Sequence, residues 1–125
     1  MSFLAIQNHI LAFKQNSVQI INVSSPSPSG WFLENNYDKM GILHPAAVVK
    51  TEFGCSWVNK NGCYFYNGNN ISNLIDNKID DNTWYDYITT TASTGFSIIG
   101  YESSKKQLFV MGFCRRCIYF KYYNI

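Results

Sequence analysis

Histidine and glutamate are almost missing from this chain: His9 and His44, with Glu34, Glu52 and Glu102, are all that 125 residues contain. That scarcity removes the usual catalytic constellations. No Ser/His/Asp set, no close pair of glutamates and no phosphate-cradling glycine loop can be assembled. Neither histidine has a second histidine or an acidic partner at ligand spacing, and His44-Pro45 reads as a turn ahead of a strand. Charge is sparse too, at 14% of residues and a formal net +2. Basic residues adjoin only at Lys105-Lys106 and Arg115-Arg116, so the concentrated basic face that nucleic acid requires is not present. No apolar run reaches the roughly 18 residues of a membrane-crossing helix. The opening "MSFLAIQNHILAF" has no basic residue before its apolar stretch and no small-residue cleavage site after it. No signal peptide is read, which leaves assembly in a cytoplasm as the expectation.

What the chain does contain is apolar, aromatic and finely punctuated. It is 46% hydrophobic and 17% aromatic, which argues against disorder. Its length suits one domain spanning 1–125. Fourteen asparagines, with Gly and Ser, break it at short intervals. The intervening stretches of four to seven residues are rich in Ile, Val, Phe, Tyr and Trp and read as strands. They are Phe3 to Ile6, Ile10 to Phe13, Val18 to Val23, Trp31 to Leu33, Ala46 to Thr51 and Cys55 to Val58. The series continues with Cys63 to Tyr66, Tyr85 to Thr91, Phe96 to Tyr101, Leu108 to Met111 and Cys117 to Tyr122. In "KNGCYFYNGNNI" (60–71), Asn61-Gly62 and Asn67-Gly68 are hairpin signals of the type I′ kind. The best helical candidate is "ISNLIDNKIDD" (71–81), capped by Ser72 or Asn73. The proline-containing "SSPSPSG" (24–30) reads as an exposed, extended connection. The fold class is all-β.

Four cysteines, at 55, 63, 114 and 117, admit two readings. Cys114-Arg115-Arg116-Cys117 has the CxxC spacing of a zinc half-site or a redox motif, but Cys55 and Cys63 are too far apart for a matching half. The plainer reading is thiols packed on strands, without a disulfide framework.

The chain repeats itself. Laying "IQNHILAFKQNSVQII" (6–21) over "TEFGCSWVNKNGCYFY" (51–66) puts Asn16-Ser17 on Asn61-Gly62, an offset of 61 − 16 = 45. Phe13 falls on Val58, Val18 on Cys63 and Ile20 on Phe65. A third unit places "SSKK" between "FSIIGY" and "QLFVM", with "CIYFKYY" as a further strand. A period of about 40 to 50 residues with about four short strands is the pattern of β-propeller blades. The expectation is therefore an antiparallel meander of two to three blade-like units, about 1–43, 44–91 and 92–125, forming an incomplete propeller.

"ILAFKQNSVQIINV", followed by "GILHPAAVVKTEFGCSWVNKNGCYFYNGNNISNLIDNKI", resembles the propeller segment of tail nozzle, tail tubular and stabilisation proteins of short-tailed bacteriophages. The likeness rests on a strand ending in Phe-Lys, a polar turn and Val-x-Ile-Ile, then Gly41 to Pro45, Ala47 to Thr51, and a Gly-led hairpin from Phe53 to Gly68. "FSIIGYESSKKQLFVM" resembles the outer hairpin of the next blade, so the likeness spans about residues 4 to 111. It implies a structural component of a virion tail, not an enzyme, with no catalytic residues, cofactor or metal to carry over. Its partners would be other tail proteins or copies of itself, and its location the virion, with no nucleic-acid or membrane partner.

The second function to weigh is a propeller module that binds a host-surface glycan or receptor through loop aromatics. Trp31, Trp57, Trp84, Tyr85 and Tyr87 are its candidate contacts, with Trp31, Trp84, Tyr85 and Tyr87 put first, since an aromatic face suits a sugar platform. Against it, Trp and Tyr also build cores between sheets. "IDDNTWYD" (79–86) distantly resembles a calcium loop but lacks the central glycine and terminal glutamate. It reads as a solvated loop at the start of a strand.

Overall fold

The structure, a computed structural model, describes residues 2–42, 44–76, 78–92, 97–114 and 117–124, with side chains omitted at 87, 89–92, 97, 111–114 and 117–124. The chain is all-β: three antiparallel sheets and one short helix, with the strands of each sheet pairing in chain order. Sheet one holds β1 (Ser2–Ile6), β2 (His9–Phe13), β3 (Ser17–Asn22) and β4 (Phe32–Asp38). Sheet two holds β5 (Val48–Thr51), β6 (Gly54–Asn59), β7 (Gly62–Tyr66) and β8 (Ile71–Asn73). Sheet three holds β9 (Ser97–Glu102), β10 (Gln107–Cys114) and β11 (Cys117–Asn124), and helix α1 (Asp81–Ala92) precedes it. These blade-like meanders form no closed barrel among the described residues.

The 45-residue offset holds at the level of individual strand pairs. Leu4 pairs with Leu11 and Ala5 with Ile10; 45 residues on, Val49 pairs with Ser56 and Lys50 with Cys55. Phe13 pairs with Val18, and Val58 with Cys63. Sheet three joins the series at a different offset: Cys114 pairs with Cys117 as Asn59 pairs with Gly62, and 114 − 59 and 117 − 62 both give 55. Because strand side chains alternate, this register decides which residues share a face.

The sheets stack face to face, as meanders with one apolar face must. Phe13 and His9, on one face of β2, meet Trp57 and Tyr66 of sheet two edge-on, with ring centroids 5.1 and 6.2 Å apart. The opposite face of sheet two carries Val58, Cys63 and Ser56, all buried, and β9 lies against β5 and β6. Sheet two is thus covered on both sides, which is why residues 54 to 58 of β6 are all buried and show no alternation. One cluster of buried residues runs through the whole stack, from Leu11 and Phe13 through Trp57 and Trp84 to Leu108 and Val110.

Three local expectations change. The strand anticipated at Tyr85 to Thr91 is part of α1, although Thr, Tyr and Trp are poor helix formers. Asp80 starts the helix: its Oδ2 accepts the N–H groups of Asn82 and Thr83, and its carbonyl accepts that of Trp84. Trp84 and Ile88, four apart on one helix face, are both buried, and that tertiary gain outweighs weak propensity. Conversely, the helix anticipated over 71–81 begins as strand β8, which pairs with Tyr64 to Tyr66 and continues into turns. Finally, Asn59 pairs with Gly62, so Lys60-Asn61 are the turn's central residues and none of residues 59–62 has a positive φ. Asn59 Oδ1 instead accepts the N–H groups of Asn61 and Gly62. The positive φ expected of a turn glycine is found at Gly68, at 103°.

The 24–30 connection is largely exposed and ends in a 3-10 turn at Pro28–Gly30. The strand expected at Trp31 to Leu33 is longer, reaching Asp38, and carries a bulge where Glu34 is skipped in the pairing with β3.

Candidate functional site

The aromatic candidates separate sharply. Trp31 is 43% exposed, anchored by its indole N–H to the Ser25 carbonyl at 3.0 Å. Tyr85, on the first turns of α1, is 47% exposed. Trp84 is a core residue at 1% exposure, its indole N–H donated to the Asn59 carbonyl at 2.8 Å, so its ring offers no platform to a ligand. The Tyr87 side chain lies outside the described residues. Trp31 follows the first sheet's exposed connection while Tyr85 belongs to the helix after sheet two, so they stand on different elements.

Tyr85 belongs to a polar depression at the turn end of the first two sheets. Two adjoining clefts of about 470 Å³ each share Lys39, Lys60 and Asn61. One adds Gln15, Asn16 and Asn59, the other Asp81, Asn82, Tyr64 and Tyr85. Asparagine amides build its floor. Asn59 Nδ2 donates to the carbonyls of Lys39 and Gly41 at 3.1 and 2.9 Å, and Asn61 Nδ2 donates to Lys39 at 3.0 Å. Lys39 itself has φ 65°, a left-handed conformation held by these bonds and by its N–H on the Asn16 carbonyl. Amides, ammonium groups, the carboxylates of Asp38 and Asp81 and an exposed phenol offer hydrogen bonds and a stacking face.

At the other end, Glu52 accepts from Lys106 and from the Tyr101 hydroxyl (2.8 Å), tying the β5–β6 turn to sheet three. Those two donors, Lys106 first, hold the Glu52 carboxyl below its ordinary 4.5. Burial, with Glu52 alongside, pushes the Tyr101 phenol up. Lys106 also stands over the Phe53 ring, 5.4 Å from its centroid. This is a surface clamp.

The thiols do not converge. Cys55 pairs with Tyr66 and Cys63 with Val58, which puts them on opposite faces of sheet two. Burial pushes both thiols up to about 12, so each stays protonated. Cys114 and Cys117 pair at the end of the β10–β11 ladder, with side chains outside the described residues. Among the described residues, no three His, Cys, Asp or Glu side chains group as a metal site. His44 caps the 3-10 turn at Pro45–Ala47 through Nδ1 on the Ala46 N–H, the turn role anticipated for it. His9 is paired with Glu34 at 3.0 Å across the bulge of β4. No helix among the described residues is long and apolar enough to cross a membrane.

Sequence reasoning missed the face of sheet one turned away from sheet two. Ala5, Ile10, Ile21 and Leu33 pair directly across all four strands there, with Phe3 in the next row. Phe3 and Leu33 are 64% and 54% exposed, Ala5 is exposed, and the two isoleucines are half-buried. The alternation of β1 and β2 contained the signal, but two-faced apolar strands were read as mutually covered blades.

Compared with known proteins, the chain matches no protein-family model and no curated protein.

Proposed function

We propose that this protein is a non-catalytic structural component of a bacteriophage tail, contacting copies of itself or other tail proteins through sheet faces within the virion. The observation that carries the structural part is the repeated register. Two meanders with the same strand pairing pack one behind the other, and the third continues the order. Such a stack holds surfaces at fixed separation, because each sheet is rigidified by the next. Among the described residues its three most exposed large apolar side chains, Phe3, Leu33 and Phe32, lie on the first sheet, where a neighbouring subunit could cover them. The tail assignment rests on the likeness of residues 4 to 111 to short-tailed phage tail proteins. Mass spectrometry of gradient-purified tailed particles tests it. Peptides of this chain should appear in fixed ratio to the portal and tail proteins; their loss on gradient purification sinks the assignment.

The cleft around Tyr85 favours a second reading, recognition of a host-surface glycan. Asn61, Asn82, Asp81 and Lys60 beside an exposed phenol match what a sugar needs, hydrogen bonds at its rim and a ring against its apolar face. A glycan-array signal that disappears in Tyr85→Ala, with folding unchanged, would support it. A signal indifferent to that substitution would remove the cleft from consideration.

A further inference from the structure

Lysine is an uncommon choice at position 39. At φ 65° the backbone is left-handed, a conformation in which glycine and asparagine are at ease and a lysine is strained. Among the described residues one other lysine takes it, Lys106 at φ 54°. The ammonium of Lys106 accounts for its place, because it pairs with Glu52 and stands over the Phe53 ring. The ammonium of Lys39 has no such partner: among the described residues, neither Lys39 nor Lys60 forms an ion pair. Yet the Lys39 backbone is pinned three times. Its N–H donates to the Asn16 carbonyl at 2.7 Å, and its carbonyl receives the amides of Asn59 and Asn61. Three turns thus converge to hold one unpaired cation at the shared wall of two clefts.

The two clefts differ in charge. The half that adds Gln15, Asn16 and Asn59 is lined by no carboxylate, so an anion there meets ammonium and amide donors without a competing negative group. The half that adds Tyr85 also holds Asp38 and Asp81, which accept from hydroxyls, beside a phenol ring 47% exposed. At about 470 Å³, each half alone is within the roughly 300–1,000 Å³ of small-ligand sites.

We propose that the cleft takes an acidic oligosaccharide, in one direction. The carboxylate of a uronic-type sugar meets Lys39 and Lys60 in the amide half, and a neutral sugar next to it lies against Tyr85. A singly charged carboxylate suits the site better than a phosphate, because Asp38 and Asp81 border the same lysines and repel a doubly charged group more strongly. The inference rests on the glycan reading above and adds to it the ligand's charge and its orientation.

An array of oligosaccharides alternating glucuronic acid with neutral sugars tests it, printed beside the same oligosaccharides after carboxyl reduction. The full chain should bind the acidic set and lose it on reduction. Lys39→Asn removes the ammonium while suiting the left-handed backbone, and Lys60→Gln removes the second from an exposed turn. Each should weaken binding to the acidic set on the order of tenfold, the worth of one charged hydrogen bond. Lys105→Gln, an equal loss of charge on an exposed turn of sheet three, should leave binding unchanged. Circular dichroism checks each fold, and if Lys39→Asn does not fold, Lys60→Gln decides alone. Equal binding to both sets overturns the inference and leaves the glycan reading standing. Binding that survives both cleft substitutions, or falls as far with Lys105→Gln, overturns it as well. Binding to neither set removes the inference and the glycan reading together.

Discussion

Phe13 meets Trp57 edge-on with ring centroids 5.1 Å apart and planes at 68°, and this contact is the centre of the seam between the first two sheets. Both side chains are fully buried, and Trp57 also donates its indole N–H to the Met40 carbonyl at 2.7 Å. Trp57→Ala should therefore cost about 3–5 kcal/mol, from lost burial, the cavity and the orphaned carbonyl. Trp57→Phe keeps the edge contact and should cost visibly less. Urea unfolding followed by circular dichroism checks the order of the two.

Asn59 is the junction of turn, linker and helix. Its side chain serves the carbonyls of Lys39 and Gly41 and the N–H groups of Asn61 and Gly62, and its own carbonyl accepts from Trp84. Asn59→Ala removes the side-chain bonds at once and should cost roughly 1–3 kcal/mol. Asn59→Asp keeps the turn acceptor but loses both amide donations to the linker carbonyls. Its loss of stability should fall between alanine and wild type.

Gly54 has a φ of 150°, and a Cβ there would stand 2.0 Å from the Tyr66 carbonyl oxygen on the paired strand. Neither backbone can yield without breaking the ladder. Gly54→Ala is expected to cost at least about 1–3 kcal/mol, the range for a forced backbone conformation, before the clash is counted. Gly100, with open space around its Cβ direction, is the control and should tolerate alanine far better.

The Glu52 clamp gives a pH dependence with a definite sign. Its carboxyl is held low by Lys106 and Tyr101, so the folded state binds its proton less readily than the unfolded chain. The stabilisation is complete above 4.5 and is lost as pH falls through the depressed value. Wild type should lose more stability below pH 4.5 than Glu52→Gln does. Because the pair is at the surface, 1 M salt should shrink the difference. Equal acid sensitivity of the two proteins would remove the clamp from the account.

Cys55 and Cys63, with thiols pushed up to about 12, should resist alkylation in the folded protein at pH 8 and label fully in urea. Peptide mapping after iodoacetamide distinguishes them from Cys114 and Cys117.

Strands were legible where the pattern is local. β1 to β3 and β5 to β7 carry β-branched and aromatic residues between turn formers, and the repeat fixed their correspondence without any structure. Helix α1 was not legible, because "NTWYDYITT" has strand-like composition and becomes helical only through the capping by Asp80 and the burial of Trp84 and Ile88. A cap followed by apolar residues at i and i+4 was the signal available. The same substitution of context for composition misplaced Trp84, which as a lone aromatic beside a polar loop looked exposed. The outer face of sheet one escaped notice because a sequence reveals that a strand has two apolar faces, not which of them has been given a neighbour.

Asn61-Gly62 is also a chemical liability. In an unfolded chain the glycine nitrogen can attack the asparagine side-chain carbonyl, closing a succinimide and ending in a charged isoaspartate, and asparagine is thermolabile for this reason. Here the nitrogen of Gly62 is engaged by Asn59 Oδ1 and the amide of Asn61 by the Lys39 carbonyl. Attacker and target are tethered apart, so this dipeptide should age slowly in the folded protein. The turn thereby takes one of the chain's two Asn-Gly pairs out of chemical ageing: at Asn61-Gly62 deamidation waits on unfolding, which leaves Asn67-Gly68, whose asparagine is exposed, as the pair expected to age first.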